Sequence, residues 1–106
     1  MKQTRLLIQQ VPALLYGEAS EHLWLYVHGK MGRKEEAASF AQLACPRGSQ
    51  VLAIDLPEHG ERSGTHAALT PWEVVPELRH VLAWAQGRWS QISLRATSLG
   101  TWFSLL

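Results

Sequence analysis

One serine close to the end of the sequence has neighbours that suit a nucleophile. Ser98 lies in the segment ATSLG at residues 96–100, one residue after the short apolar run at residues 92–94. This pattern predicts a strand, a sharp turn and a helix, the arrangement that presents a catalytic serine at the end of a strand. Small residues at Ala96 and Gly100 fit it, because the helix crosses close to the strand there. A serine placed in this way can attack a carbonyl carbon.

Two further loops carry polar residues and glycine directly after apolar runs. The run at residues 23–27 is followed by His28 and Gly29. The run at residues 51–54 is followed by a loop that contains three residues of interest: Asp55, His59 and Gly60. Open α/β sheets bind their ligands at the carboxyl ends of parallel strands. We therefore expect these two loops and the Ser98 turn to lie at one edge of a sheet.

The elements that must position these loops alternate between strand and helix. Apolar residues recur with helical spacing over residues 37–44 and again over residues 78–85. Pro76 predicts a kink or a restart in the second helix. Residues 4–10 and 12–16 suit a pair of short antiparallel strands. This order predicts an α/β fold with right-handed crossovers, in which helices flank a mostly parallel sheet.

Taken together, the three loops resemble those of the α/β-hydrolase family. The resemblance rests on three motifs in this order: His28-Gly29, Asp55-x-Pro57-x-His59-Gly60 and Ala96-x-Ser98-x-Gly100. It extends from about Pro12 to the end of the chain. It implies that residues 1–106 form a single incomplete domain, the N-terminal half of an α/β-hydrolase fold.

The resemblance also implies a role for each residue of the candidate site. Ser98 matches the nucleophile that forms an acyl-enzyme with a carboxylic ester, a thioester or an amide. The oxyanion of the intermediate would be held by the backbone N–H groups of Leu99 and of Lys30, with Met31 as the less favoured alternative to Lys30. Structural roles are implied for the remaining motif residues: His28, Gly29, Asp55, His59, Gly60, Ala96 and Gly100.

The acid and the histidine of a catalytic triad are missing from this sequence. In the family both follow the serine, yet only eight residues follow Ser98 and none is acidic or histidine. We therefore expect the chain to be inactive or nearly so by itself and to represent part of a longer serine hydrolase. The alternative is a truncated, non-catalytic module that acts by protein association. Such a module would associate with a second copy of itself through the strand edge at residues 92–94 (Ile92, Ser93, Leu94).

Composition and charge exclude several other classes. A chain of 106 residues with 46% hydrophobic and 18% charged residues is typical of one globular domain. A net charge of +1 gives no reason to expect nucleic acid or an anionic membrane as partner. The cluster of Lys30, Arg33 and Lys34 is followed at once by Glu35 and Glu36, which predicts a solvated helix start.

No cofactor and no metal are predicted. The spacing of His28, Asp55, Glu58 and His59 matches no metal signature, and no phosphate-binding loop supports a nucleotide-binding domain. Cys45 is the single cysteine and is expected to be a small, buried or half-buried side chain. Apolar runs are too short for a signal peptide or a membrane span, so a cytoplasmic protein is expected. Surface positions are predicted for the remaining histidines: His22, His66 and His80.

Overall fold

A computed structural model describes residues 2–28, 32–56, 60–62 and 71–96 of the protein. Within these ranges the chain forms five strands and two helices, in the predicted order. Their bounds are β1 Gln3–Ile8, β2 Val11–Tyr16, β3 His22–Val27, α1 Ala37–Ala44, β4 Ser49–Ile54, α2 Pro71–Gln86 and β5 Gln91–Ala96. Short 3-10 turns lie at Lys34–Glu36, Cys45–Arg47 and Gly60–Arg62.

All five strands join one sheet in the order β1-β2-β4-β3-β5. The three strands that lead to the candidate loops, β3, β4 and β5, are parallel to each other, as predicted. β1 and β2 form an antiparallel hairpin, and β2 runs antiparallel to β4. Gln9 and Gln10 in the hairpin turn both have positive φ, +49° and +71°, which gives a tight turn the twist of the flanking strands. The predicted antiparallel pair is thus confirmed at one edge of the sheet.

The two helices cover opposite faces of the sheet. Alternate residues of a strand point to opposite faces, so β3 and β4 supply two separate apolar cores. α1 packs against one core through its alanines, Ala37, Ala41 and Ala44. α2 packs against the other through Val74, Val81 and Ala85. Because both faces are covered, every residue of β4 is buried, as expected for a central strand of a parallel sheet.

The second helix runs without a break from Pro71 to Gln86, through Pro76. The predicted restart near Pro76 is therefore wrong. Val74 and Val81, on either side of the proline, are both buried in the same core, and this packing holds both halves of the helix against the sheet. Neither described helix is long and apolar enough to span a lipid bilayer.

His22 links the amino ends of the three parallel strands. Its Nδ1 lies 2.8 Å from Ser49 Oγ on β4, and its Nε2 lies 2.8 Å from Ser93 Oγ on β5. The ring also packs against Trp24, with 5.6 Å between ring centroids. The surface position predicted for His22 is wrong, because its place at the start of the middle parallel strand puts both ring nitrogens beside hydroxyl groups. His22 therefore joins β3 to both of its neighbours.

Candidate active site

The three parallel strands end at the same level. Val27 is the register partner of Ile54 on β4 and of Ala96 on β5. His28 and Asp55 therefore leave the sheet side by side, and Ser98 follows the end of β5 by two residues in the sequence. Several predicted site residues lie outside the described residues, and their roles stay predictions: Gly29, Lys30, Met31, His59, Ser98, Leu99 and Gly100.

His28 joins the end of β3 to the residue that follows Asp55. Its side chain is fully buried, and its Nε2 accepts a hydrogen bond of 3.0 Å from the backbone N–H of Leu56. A ring nitrogen that accepts must carry the lone pair, so the proton of the neutral imidazole lies on Nδ1. The Nε2 lone pair of His28 is thus used to hold the protein backbone and not to take a proton from a substrate.

Asp55 forms a buried ion pair with Lys34. Both side chains are fully buried, and Lys34 Nζ lies 2.7 Å from Asp55 Oδ2. The backbone N–H of Lys34 donates a second bond, of 2.8 Å, to Asp55 Oδ1. The prediction that Lys34 belongs to a solvated helix start is therefore wrong. A carboxylate at the end of a fully buried strand needs a charged partner, since a buried charge without one costs several kcal/mol.

The loop after β4 returns to the same carboxylate. Gly60 has a φ of +53°, and a Cβ added there would overlap the carboxylate of Asp55. Arg62, itself buried, donates to both carboxylate oxygens of Glu77 on α2 at 2.6 Å each. Arg62 Nη1 also lies 3.4 Å from the carbonyl oxygen of Asp55. This loop is consequently tied both to the end of β4 and to α2.

Sequence patterns do not single out Lys34 or Arg62, because each stands among other charged residues. The signal that points to Lys34 is Asp55, a carboxylate that directly follows four apolar residues and must be matched by a cation. The two loops nearest to it in the predicted fold contain Lys34 and Arg62. Burial of the Asp55 carboxylate is therefore the feature from which the Lys34 contact follows, whereas Arg62 bonds to the backbone carbonyl of Asp55 and pairs with Glu77.

The described groups at this edge support the loops and do not form a metal centre. No group of three or more His, Cys, Asp or Glu side chains within residues 2–28, 32–56, 60–62 and 71–96 is placed to hold a metal ion. Asp55 accepts bonds from Lys34 on both oxygens, and His28 accepts one on Nε2. Their contacts fix the places at which the loops leave β3 and β4.

Comparison with solved structures gives the fold class. No protein-family model and no curated protein matches the chain. The structure of TT1662 from Thermus thermophilus superposes with a TM-score of 0.80 and 28% identity, over 97% of this chain and 49% of that one. A cold-adapted esterase from an Arctic intertidal metagenomic library superposes with a TM-score of 0.72 and 24% identity, over 97% of this chain and 52% of that one. An epoxide hydrolase from Vigna radiata superposes with a TM-score of 0.73 and 17% identity, over 97% of this chain and 33% of that one.

These structures place the chain in a known class of fold. The neighbours include α/β-hydrolases, among them esterases and epoxide hydrolases, and the chain has the α/β-hydrolase fold. The resemblance of the three loops is thus confirmed at the level of the fold. The chain spans from about a third to about half of the length of the neighbours it matches. Because esterases and epoxide hydrolases share this fold, the reaction must be argued from the residues of the site.

Proposed function

We propose that the chain supplies the nucleophile of a serine hydrolase that acts on a carboxylic ester, a thioester or an amide. The observation that supports this most directly is the register of the parallel strands, in which Ala96 at the end of β5 lies level with Val27. β5 therefore ends at the edge where His28 and Asp55 organise the neighbouring loops, and Ser98 follows two residues later in the sequence. The similarity to an esterase structure agrees with this choice.

In the proposed reaction the hydroxyl of Ser98 attacks the carbonyl carbon while its proton passes to a base. The leaving group then departs with a proton, and water hydrolyses the acyl-enzyme. Backbone N–H groups of Leu99 and Lys30 would hold the oxyanion, and the loss of one such donor costs about 3 kcal/mol of transition-state stabilisation. The base and its carboxylate come from outside residues 1–106 in this proposal. His28 is a poor candidate for the base, because its Nε2 already accepts from Leu56.

A fluorophosphonate probe tests the proposal. The full product of the reading frame that encodes this sequence is expected to be labelled covalently, and Ser98→Ala is expected to abolish the labelling. Ser93→Ala is the matched control, because Ser93 is another serine of the same segment and its hydroxyl bonds to His22. Labelling that persists in Ser98→Ala, or that is absent from the unmodified product, would contradict the proposed function.

A second candidate function, association through β5, is favoured by the exposure of that strand. Within the described part of the chain, β5 pairs only with β3. Leu94 is 49% exposed, and Leu82 on α2 is 37% exposed. Between them runs a groove of about 390 Å³, lined mainly by apolar side chains of β3, α2 and β5 that include Leu25, Leu78 and Ile92. An exposed strand edge beside an apolar groove is a template for association.

The partner proposed for this edge is a second copy of the chain. Antiparallel pairing of two β5 strands about Ser93 would place Ile92 opposite Leu94 on one face and Arg95 opposite Gln91 on the other. No like charges would then face each other, so the strand complements itself. A two-fold axis of this kind would also bring the two apolar grooves together.

Sedimentation of the 106-residue chain tests this second function. A dimer is expected at micromolar concentration, and Leu94→Lys is expected to convert it to a monomer. Leu7→Lys is the matched control, because Leu7 is 73% exposed on β1 at the opposite edge of the sheet. A cooperatively folded monomer, or equal effects of the two substitutions, would exclude association through β5.

A further inference from the structure

The two ends of the loop after β3 are tied to two consecutive residues. His28, at the start of the loop, accepts from the backbone of Leu56. Lys34, at its end, donates through its backbone and through its ammonium group to Asp55. Asp55 and Leu56 are consecutive and directly follow β4, which is buried along its whole length. The five residues from 29 to 33 are therefore bounded by two anchors on one rigid strand end.

We infer that the Lys34–Asp55 ion pair positions the oxyanion donor proposed for this loop, the backbone N–H of Lys30. The inference rests on the proposed function and adds to it a residue that the loop motifs do not include. Lys34 is a positioning residue here, because it acts through the backbone of the loop and not through contact with a substrate. Its two bonds to one carboxylate fix both the location and the direction in which the chain enters α1.

The charges at this site argue against a direct role for Lys34 in binding an anion. Its Nζ lies 2.7 Å from Asp55 and 3.2 Å from Glu35 Oε2, so two carboxylates surround the ammonium group. A lysine matched in this way has no excess positive charge to offer a negatively charged transition state. A backbone N–H held in a fixed place can stabilise the same charge without moving a counter-ion. The arrangement fits a scaffold for a backbone donor.

The consequence is a specific kinetic signature. A backbone donor that is displaced by about 1 Å no longer matches the oxyanion, and losses of about 100-fold in rate are typical of such displacements. Because the oxyanion exists only after attack, the loss falls on kcat and leaves KM nearly unchanged. A residue that only stabilised the fold would instead lower the amount of active protein and leave the turnover of each active site unchanged.

The test compares Lys34→Met with Arg33→Met in the full product of the reading frame. Arg33 is the matched control, since it is the adjacent cation and its side chain is 67% exposed. Ester hydrolysis is measured per active site, with the sites counted by fluorophosphonate labelling. We expect kcat to fall about 100-fold in Lys34→Met with KM changed less than threefold. The same parameters should stay within about twofold of the parent in Arg33→Met.

Amide hydrogen exchange supplies a second readout that does not depend on catalysis. In Lys34→Met the amides of residues 29–33 are expected to exchange faster by a larger factor than those of β4, whose exchange reports the loss of global stability. Unchanged kcat per labelled site, or exchange that accelerates equally in β4, would overturn the inference. Asp55→Asn, which keeps an oxygen acceptor for the backbone N–H of Lys34, is expected to show a smaller effect than Lys34→Met on both readouts.

The two proposals fail in different ways. If Ser98→Ala leaves hydrolysis unchanged, the proposed function is wrong and the positioning role falls with it. If Ser98→Ala abolishes hydrolysis while Lys34→Met has the kcat of the parent, only the positioning role is wrong.

Discussion

The two ends of the parallel strands are held by different chemistry. At the carboxyl ends, the buried charges of Lys34 and Asp55 tie a loop to the end of β4. At the amino ends, the imidazole of His22 lies between the hydroxyl groups of Ser49 and Ser93 and ties strand to strand. The first contact is ionic and fully buried, and the second is between a ring and two hydroxyls in a half-buried place.

This difference shows at which end of the sheet the contacts with the strictest geometric requirements lie. Buried charges require a partner in a fixed geometry, whereas hydroxyl groups near the surface can exchange a lost partner for water. The ionic contact lies at the edge where α/β sheets bind ligands, and there it fixes loops that regular hydrogen bonding between strands cannot hold. The neutral contact of His22 joins strands that are already held together by the hydrogen bonds of the sheet. We therefore expect substitutions at the carboxyl edge to cost more than those at the amino edge.

The largest effect is expected for Asp55→Ala. This substitution removes the carboxylate that lies 2.7 Å from the buried Lys34 ammonium group, and breaking a buried pair typically costs about 3–5 kcal/mol. Urea denaturation should show the loss in the free energy of unfolding. Glu35→Ala is the control and should cost less than about 1 kcal/mol, because the Glu35 side chain is 42% exposed and solvent screens its charge. Similar losses in the two variants would show that burial of the Asp55–Lys34 pair adds nothing to stability beyond what an exposed pair at the same edge contributes.

Gly60→Ala is expected to cost about 2 kcal/mol. A Cβ at this position meets the Asp55 carboxylate, and the φ of +53° is itself unfavourable for alanine. Gly48→Ala isolates the second of these causes, because Gly48 has a φ of +90° and a Cβ there would meet nothing within 4 Å. The midpoint temperature of thermal unfolding should therefore fall further in Gly60→Ala than in Gly48→Ala. If Gly48→Ala costs as much, the close approach to Asp55 does not limit the residue at position 60.

The strands and helices could be predicted from local patterns. The apolar runs that became β3 and β4 are continuous because both faces of these strands are covered, and the helical spacing over residues 37–44 matches the face that α1 buries. These signals are contained in consecutive residues, so they need no knowledge of distant contacts. The α/β-hydrolase fold followed from the order of three short motifs in loops of the same kind.

The contacts of the carboxyl edge could not be predicted in the same way. Lys34 is surrounded by Arg33, Glu35 and Glu36, and a local pattern of this kind indicates an exposed helix start. Only the pairing of β3 with β4 brings the end of the first loop to Asp55. The same holds for His22, whose two hydroxyl partners come from different strands. The catalytic role of Ser98 stays a prediction, as do those of Leu99 and Lys30.

A smaller effect is expected at the amino edge, for His22→Leu. The substitution removes the bonds to Ser49 and Ser93 but keeps an apolar side chain against Trp24. Because both bonds are between neutral groups and Ser93 is only half-buried, the cost should be about 1–2 kcal/mol in the free energy of unfolding. Ser93→Ala should cost about half as much, since it removes one of the two bonds. A loss as large as that of Asp55→Ala would show that this neutral contact holds the sheet as strongly as the ionic one.

The smallest effect concerns stability at alkaline pH. Burial raises the pKa of the Cys45 thiol above its ordinary value of 9.0, and burial followed by the charge of Glu35 raises the pKa of Tyr16 above 10.0. The folded state therefore favours the neutral forms of both groups. Their stabilising effect is fully present below about pH 8, and it is lost as pH rises and the unfolded chain ionises first.

The urea midpoint should accordingly fall between about pH 8 and about pH 10. In Cys45→Ala this decline should be shallower over the lower part of that range, because the thiol is the first of the two groups to ionise in the unfolded chain. Tyr16→Phe should flatten the upper part instead. A midpoint that declines identically in the parent and in both variants would mean that other groups control alkaline unfolding. Since the Cys45 side chain lies against Gly17 beside the amino ends of the strands, a shallower decline would show that this edge depends on groups that stay neutral.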